Sequence, residues 1–237
     1  MTGTYEHSID AKGRLFIPAK LREELGVTFY LAMGVDECLA IYPQETWNRF
    51  TEKFASLPMS QSAAMRPLFD DPAVIAVGEI GLDHHWPLPA QEQYDLFEAQ
   101  LQLAQELDLP VSVHDREAHA EMYELLRQYR PRGVLHCYSG SAEDAAWLTA
   151  QGMALGFGGA VTYKGAKRAA KVLAMVPHEL AVLETDCPYM SPEPVRGTRN
   201  DSRNIAYVAA KIGEIWQMDA QSVLDLTAEN AKRIFNQ

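Results

Sequence analysis

The sequence predicts an α/β fold: an incomplete TIM-like (β/α) barrel of about five parallel strands, preceded by a small β-rich module. From residue 72 onward, short apolar runs alternate with amphipathic stretches, which is typical of a buried parallel sheet covered by helices. Before residue 58, short strand patterns surround turns instead. Residues 58–71 contain two prolines and a Ser-Gln-Ser run, and they are predicted to link the two parts.

The N-terminal module, residues 1–57, is predicted to consist mainly of short strands. Strands at 4–9 and 14–17 flank the turn Asp10–Gly13, and a second strand pair is expected at 29–33 and 38–42. Pro18 begins a short helix that stops at Gly26. Residues 43–54 form a second helical stretch with its aromatic side chains on one face.

The C-terminal part, residues 72–237, is predicted to alternate strands with helices. The strands are expected at 74–80, 111–114, 133–137, 154–157 and 180–184. The helices are expected at 90–107, 117–129, 142–150, 166–175, 204–216 and 220–235. Parallel strands need such crossover helices, so this order favours repeated β/α units.

Composition limits the classes of protein that this sequence can encode. Its 237 residues are 47% hydrophobic and contain no apolar run of membrane-spanning length, so no membrane partner is expected. The N-terminus lacks the apolar region of a signal peptide, and Cys38, Cys137 and Cys187 form no CxxC pair, which predicts a cytoplasmic location. A net charge of −11 disfavours broad attraction to nucleic acid, so such contact requires a local patch or a metal ion.

Polar side chains follow the apolar runs of four predicted strands. These residues are Glu79, His114, His136 and Asp186. In β/α barrels the carboxyl ends of the strands meet at one face, where catalytic groups lie. Two imidazoles and two carboxylates meeting there can bind Zn²⁺, Mn²⁺ or Mg²⁺ and activate a water molecule.

Each of these residues also has a purely structural interpretation. A single histidine at a strand end is often a hydrogen-bonded structural residue, and a single acidic residue there often caps the following helix. Four such positions on four different strands favour the metal site. The sequence therefore predicts one or two divalent metal ions as the cofactor.

Short motifs spread over residues 70–237 resemble the signatures of the TatD family, in the family's order. They are GEIGLD at 78–83, HDR at 114–116, HCYSG at 136–140, ETDCPY at 184–189, RGTRN at 196–200 and ENA at 229–231. The resemblance implies a (β/α)8-barrel hydrolase that depends on a divalent metal, in many members a deoxyribonuclease. DNA is therefore the expected substrate.

The resemblance also implies roles for individual residues. It makes Glu79 a ligand that bridges two metals, and His114 and His136 ligands of one metal. It makes Asp186 a ligand placed to orient or deprotonate the attacking water. Glu79 and Asp186 are thereby the catalytic candidates. Arg116 and Arg199 are candidates for holding a phosphate, with a surface salt bridge as the alternative for each.

This sequence departs from the family's pattern in two respects. The family has a His-x-His pair at the end of its first strand, whereas His84 and His85 here are adjacent and point to opposite sides of an extended backbone. The family's first three β/α units also have no counterpart among the predicted elements. We therefore expect weak metal binding at the first position and low or absent hydrolase activity.

Residues 1–69 resemble a different family. The stretch 3–20, with the element DAKGR at 10–14, resembles the first repeat of MraZ, a nucleoid-associated transcriptional regulator built from swapped-hairpin (AbrB-like) repeats. This resemblance implies DNA binding through Lys12 and Arg14, and a homo-oligomer formed through the N-terminal module. The structural alternative is an ordinary hairpin turn at Asp10–Gly13.

Three hypotheses follow from the sequence. The first is a TatD-like metal-dependent hydrolase acting on DNA. The second is a MraZ-like DNA-binding regulator, located at the nucleoid, with an inert C-terminal part. The third hypothesis is an artificial or degenerate junction of two incomplete domains, because both resemblances break within a domain at the same place. Metal-dependent nuclease activity separates the first hypothesis from the second.

Overall fold

The structure is a computed structural model that describes residue 22 and residues 29–33, 39–45 and 66–236. The chain divides into two compact units, Met1–Gln61 and Ser62–Gln237. Most predictions for the N-terminal module, including those for Lys12 and Arg14, lie outside the described residues. The swapped-hairpin assignment and the expected homo-oligomer therefore remain predictions from sequence.

The described part of the first unit contains one antiparallel strand pair. Strand β1 (Phe29–Met33) pairs with strand β2 (Leu39–Pro43), with Phe29 opposite Pro43 and Met33 opposite Leu39. These bounds agree closely with the strand pair expected at 29–33 and 38–42.

The second unit is built on a five-stranded sheet whose neighbouring strands are all parallel. Its order is the chain order, β3-β4-β5-β6-β7. The strands are β3 (Val77–Asp83), β4 (Val111–Arg116), β5 (Gly133–Leu135), β6 (Ala154–Phe157) and β7 (Ala181–Leu183). In the described residues β3 and β7 are edge strands, so the predicted open sheet of five parallel strands is confirmed.

Six α-helices among the described residues accompany this sheet: the first four connect successive strands, as the alternating sequence pattern predicted, and the last two follow β7. They are α1 (Ala90–Glu106), α2 (His119–Tyr129), α3 (Ala142–Ala150), α4 (Lys167–Leu173), α5 (Ile205–Trp216) and α6 (Ala220–Ile234). Side-chain caps fix two of the starts: Ser141 accepts a hydrogen bond from the Asp144 amide before α3, and Asp219 accepts one from the Ser222 amide before α6. Within the described residues, none of these helices is long and apolar enough to span a bilayer.

The main core lies between the sheet and its helices. Val111 and Val113 of β4 pack in one cluster with Phe97 and Leu101 of α1. Asp115 also faces the helices, since its Oδ2 lies 2.5 Å from Nδ1 of His119 on α2. Successive side chains of a strand alternate between faces. The side chain of His114 therefore projects from the opposite face of the sheet.

Strand β3 corrects one detail of the prediction. The apolar run suggested a strand at 74–80 that ends at Glu79, but the structure places β3 at Val77–Asp83, with Glu79 near its middle. Val74 belongs to a turn, since its amide donates to the Asp71 carbonyl at 2.9 Å. The strand can continue past Ile80 because residue 81 is a glycine. At Gly81 the two strands lie so close that a Cβ would be 2.0 Å from the carbonyl oxygen of His114 on β4.

Candidate metal centre

Three neighbouring strands bring three candidate ligands to one end of the sheet. Glu79 lies within β3, His114 near the end of β4, and His136 directly after β5. The amide of His136 donates to the Val113 carbonyl at 3.0 Å, which places the His136 backbone beside that of His114. Strand pairing in this register is therefore what assembles the site.

The three side chains offer atoms that form a small triangle. Oε1 of Glu79 lies 2.9 Å from Nδ1 of His114 and 2.7 Å from Nε2 of His136. The two ring nitrogens are 3.0 Å apart. Ligand atoms held at about 2.1 Å from one ion lie about 3 Å from each other, so this triangle fits a divalent metal. Two imidazoles with one carboxylate suit Zn²⁺ or Mn²⁺ in particular.

Each histidine also has a carboxylate behind it. Nε2 of His114 lies 3.3 Å from Oδ2 of Asp83, and Nδ1 of His136 lies 3.8 Å from Oε1 of Glu184. Metal-binding histidines commonly present their second ring nitrogen to a carboxylate, which fixes the tautomer and the ring orientation. This arrangement is an independent reason to interpret the triangle as a metal site rather than as a hydrogen-bonded cluster.

Asp83 and Glu184 lie within the motifs at 78–83 and 184–189, but the sequence alone indicated a role for neither residue. Because the site needs one carboxylate for each imidazole, the acidic residues in the same motifs as the ligands were the available signal.

Glu184 lies in a closely fitted pocket. Its side chain is 18% exposed, and its Oε1 accepts a hydrogen bond from the Cys137 amide at 2.7 Å. Burial raises the pKa of the Glu184 carboxyl from 4.5 to about 7; the Cys137 amide opposes this rise, and the Asp186 and Glu79 carboxylates add to it. Burial likewise raises the pKa of the neighbouring Cys137 thiol to about 12, so this cysteine stays a neutral thiol.

Glycines within and directly after strand β6 leave space for the Glu184 side chain. A Cβ on Gly156 would lie 2.3 Å from Oε2 of Glu184 and 3.1 Å from Cα of His136, whereas a Cβ on Gly158 would come no closer than 3.3 Å to Glu184. We therefore expect Gly156→Ala to displace Glu184 from His136 and to cost about 1–3 kcal/mol of unfolding free energy.

Gly158→Ala is the matched control for that prediction and is expected to cost less. Denaturant unfolding and metal titration of the two variants check this order. Equal losses of stability and metal affinity in both variants would contradict it.

The other predicted site residues that the structure describes lie outside the triangle. Asp186 is exposed and follows the end of β7 by three residues, in a left-handed backbone conformation with φ of 51°. Arg116 and Arg199 are exposed, and neither forms an ion pair with another described residue. Lys12 and Arg14 lie outside the part of the chain that the structure describes.

An open cavity of about 290 Å³ adjoins the triangle. Its lining comprises Glu79, Ile80, Gly81, Asp83, Gln93 and His114. The amide oxygen of Gln93 accepts a hydrogen bond from the Asp83 amide at 2.9 Å, and its Nε2 has no hydrogen-bond partner among the described residues. The cavity thus borders two of the three candidate ligands, Glu79 and His114. Within the described part of the chain, no second group of three His, Cys, Asp or Glu side chains could share an ion.

A parallel α/β sheet with a cluster of candidate divalent-metal ligands at the carboxyl ends of its strands is typical of metal-dependent hydrolases of the β/α type. The sequence matches the family described as TatD related DNase over residues 23–236, and the chain belongs to this family. The match begins well before Asp70, so it overlaps the stretch 23–69 that resembles MraZ.

Individual relatives agree with this assignment. The chain is 39% identical over 166 residues to the uncharacterized metal-dependent hydrolase YabD of Bacillus subtilis, covering 68% of this chain and 65% of YabD. It is 35% identical to the 3'-5' ssDNA/RNA exonuclease TatD of Edwardsiella piscicida, covering 74% of this chain and 71% of that protein. The chain thus spans about two thirds of the length of these relatives.

A solved structure supports the fold. The crystal structure of YJJV, a TatD homologue from Escherichia coli K12, matches with a TM-score of 0.67 and 33% identity, over 76% of this chain and 69% of that one. Together with the ligand triangle and relatives described as metal-dependent, this confirms the prediction of a divalent-metal cofactor.

Proposed function

We propose that this chain is a divalent-metal-dependent hydrolase that cleaves phosphodiester bonds of nucleic acid. The observation that carries the proposal is the ligand triangle, in which Oε1 of Glu79 lies within 2.9 Å of Nδ1 of His114 and 2.7 Å from Nε2 of His136. Membership of the family described as TatD related DNase supports the reaction class, and a relative described as an ssDNA/RNA exonuclease supports the substrate.

Residues of this chain divide the work of the proposed reaction. Glu79, His114 and His136 hold the metal, with Asp83 and Glu184 orienting the two imidazoles. A bound divalent ion supplies Lewis acidity toward a phosphoryl oxygen and lowers the pKa of a bound water. Asp186, exposed at the same end of the sheet, accepts the proton of the attacking water.

Substrate binding in this proposal uses the free cations. Arg116 and Arg199 are exposed guanidinium groups that can each hold a phosphate through two parallel hydrogen bonds. We expect a rate below that of relatives that carry a His-x-His pair, because the sequence contains no such pair and one metal position then lacks two ligands.

DNA binding by the N-terminal element at 10–14 stays a separate prediction from sequence. It does not enter the proposed hydrolase mechanism.

The proposal is tested by adding and removing metal. Saturating Mn²⁺ or Zn²⁺, at about 100 times its dissociation constant, is expected to stabilise the fold by about 2.7 kcal/mol, which raises the unfolding temperature by about 5–10 °C. The same metal should start cleavage of a short single-stranded DNA, and a chelator should reverse both effects. The proposal would be refuted if metal left the unfolding temperature unchanged and the DNA stayed intact.

A further inference from the structure

One segment of the chain is basic, although the chain as a whole is acidic. The sequence has 32 acidic against 21 basic residues, yet between Asp144 and Glu179 it contains no acidic residue and four cations. Those cations are Lys164, Lys167, Arg168 and Lys171. An acidic protein can bind a polyanion through a local basic patch of this kind.

The four cations follow the carboxyl end of strand β6, at the same end of the sheet as the metal centre. The chain leaves β6 at Phe157, and Lys167 begins helix α4. The guanidinium of Arg168 lies 3.5 Å from the carbonyl oxygen of Ser139, three residues after His136. The cations therefore border the loop that carries one of the candidate ligands.

A further cation joins the first three of these from the loop after β7. The guanidinium of Arg196 lies 4.1 Å from the centre of the Tyr163 ring, a cation–π contact. The Glu193 amide donates to the hydroxyl of Thr162 at 2.9 Å, which ties the two loops together. We call Lys164, Lys167, Arg168 and Arg196 the basic rim; all four are exposed.

Salt bridges within the fold do not account for the basic rim. Lys171, outside the rim, pairs with Glu143 at 3.9 Å. None of the four rim cations forms an ion pair with any residue in the described ranges, although the chain has a surplus of carboxylates. Unpaired cations gathered at one end of an acidic protein are available to a ligand.

From this arrangement we infer that the basic rim binds the phosphates of a single-stranded nucleic acid beyond the nucleotide at the metal centre. The inference rests on the proposed function and deepens it, since it makes a chain of several nucleotides the preferred substrate. Several separate cations match the successive phosphates of one strand, whereas a mononucleotide could engage only part of them.

The test measures binding without cleavage. We would replace Lys164 and Lys167 by Gln together, and in a matched control replace Lys211 and Lys232 by Gln. Both control lysines are paired with glutamates, at 2.6 and 2.7 Å. Each double variant loses the same charge, and Gln retains good helix propensity. The probe is fluorescein-labelled single-stranded DNA of about 12 nucleotides, a length within the range of such sites, followed by anisotropy with a chelator present.

The rim variant is expected to bind this DNA about tenfold more weakly at low salt. Between about 50 and 200 mM salt, its slope of log affinity against log salt should be shallower than that of the wild type by about 1.4, since each lost contact to a single strand removes about 0.7. The control variant should bind like the wild type. Equal binding by both double variants would overturn the inference.

Cleavage of a dinucleotide by the wild type, measured separately with Mn²⁺, distinguishes failure of the rim inference from failure of the hydrolase proposal. A dinucleotide is too short to need the rim. If the wild type cleaves it and rim and control variants bind DNA alike, the rim inference alone fails. If binding depends on the rim and neither the dinucleotide nor the longer single-stranded DNA is cleaved with any metal, the rim inference stands and the hydrolase proposal fails.

Discussion

Replacing Glu79 by Gln is expected to lower the affinity for a divalent metal by more than about 100-fold and to reduce phosphodiester cleavage by at least that factor. Mutation of a carboxylate that only contacts a metal-binding histidine already lowers metal affinity or activity about 10–100-fold. Glu79 contributes the central oxygen of the triangle, 2.7 Å from His136 Nε2 and 2.9 Å from His114 Nδ1. Its amide substitute has the same shape but no negative charge to balance the ion. Calorimetric metal titration and a cleavage assay measure the two losses.

Glu143→Gln provides the matched control. Glu143 lies on helix α3 with 81% of its side chain exposed, and its nearest cation is Lys171 at 3.9 Å. The same chemical change there should leave metal affinity and cleavage within about twofold of the wild type, as surface substitutions usually do. If Glu79→Gln kept its metal response while cleavage vanished, Glu79 would act on the substrate rather than on the metal.

The sequence predicted the C-terminal fold well because its elements carry clear periodic patterns. Each of the five strands and six helices was expected, and most bounds agree within three residues. Strand β3 was placed three residues too early, since the apolar run begins at Val74 while pairing with β4 begins at Val77. Gly78 and Gly81 resemble strand breakers in the sequence, and only the close approach of β4 shows why the strand tolerates them.

The site could be predicted in part for a similar physical reason. Glu79, His114 and His136 meet because neighbouring parallel strands align their ends, which follows from the topology alone. The pairing of Asp83 with His114 and of Glu184 with His136 depends on side-chain positions across three strands, which no local pattern encodes. Asp186 was placed at a strand end, but β7 ends at Leu183 and the carboxylate lies outside the triangle, so its role in the site stays a prediction.

Glu184 is a residue of the candidate metal site whose charged form destabilises the fold. Folding raises the pKa of its carboxyl from 4.5 to about 7, mainly through burial. The folded protein therefore binds this proton more tightly than the unfolded chain does. Its contribution to the unfolding free energy is complete below pH 4.5 and is lost as the pH rises through about 7. At higher pH the buried charge costs about 3 kcal/mol at most.

Glu184→Gln is therefore expected to stabilise the metal-free protein at pH 8 by up to about 3 kcal/mol. Gln keeps an oxygen that can accept the hydrogen bond from the Cys137 amide, now at 2.7 Å from Glu184, but it never carries the buried charge. The unfolding free energy of the variant should also change less than that of the wild type between about pH 4.5 and 7. Urea unfolding of metal-free protein at several pH values measures both effects.

The same substitution should weaken metal binding by about tenfold, because His136 loses the negative charge 3.8 Å from its Nδ1. A variant that is more stable without metal and poorer at binding it would show that Glu184 is kept for the site at the expense of the fold. Glu143→Gln again serves as the control, and it should change neither quantity. If Glu184→Gln had the wild-type pH profile and the wild-type metal affinity, the carboxylate would be neither a buried charge nor a partner of His136.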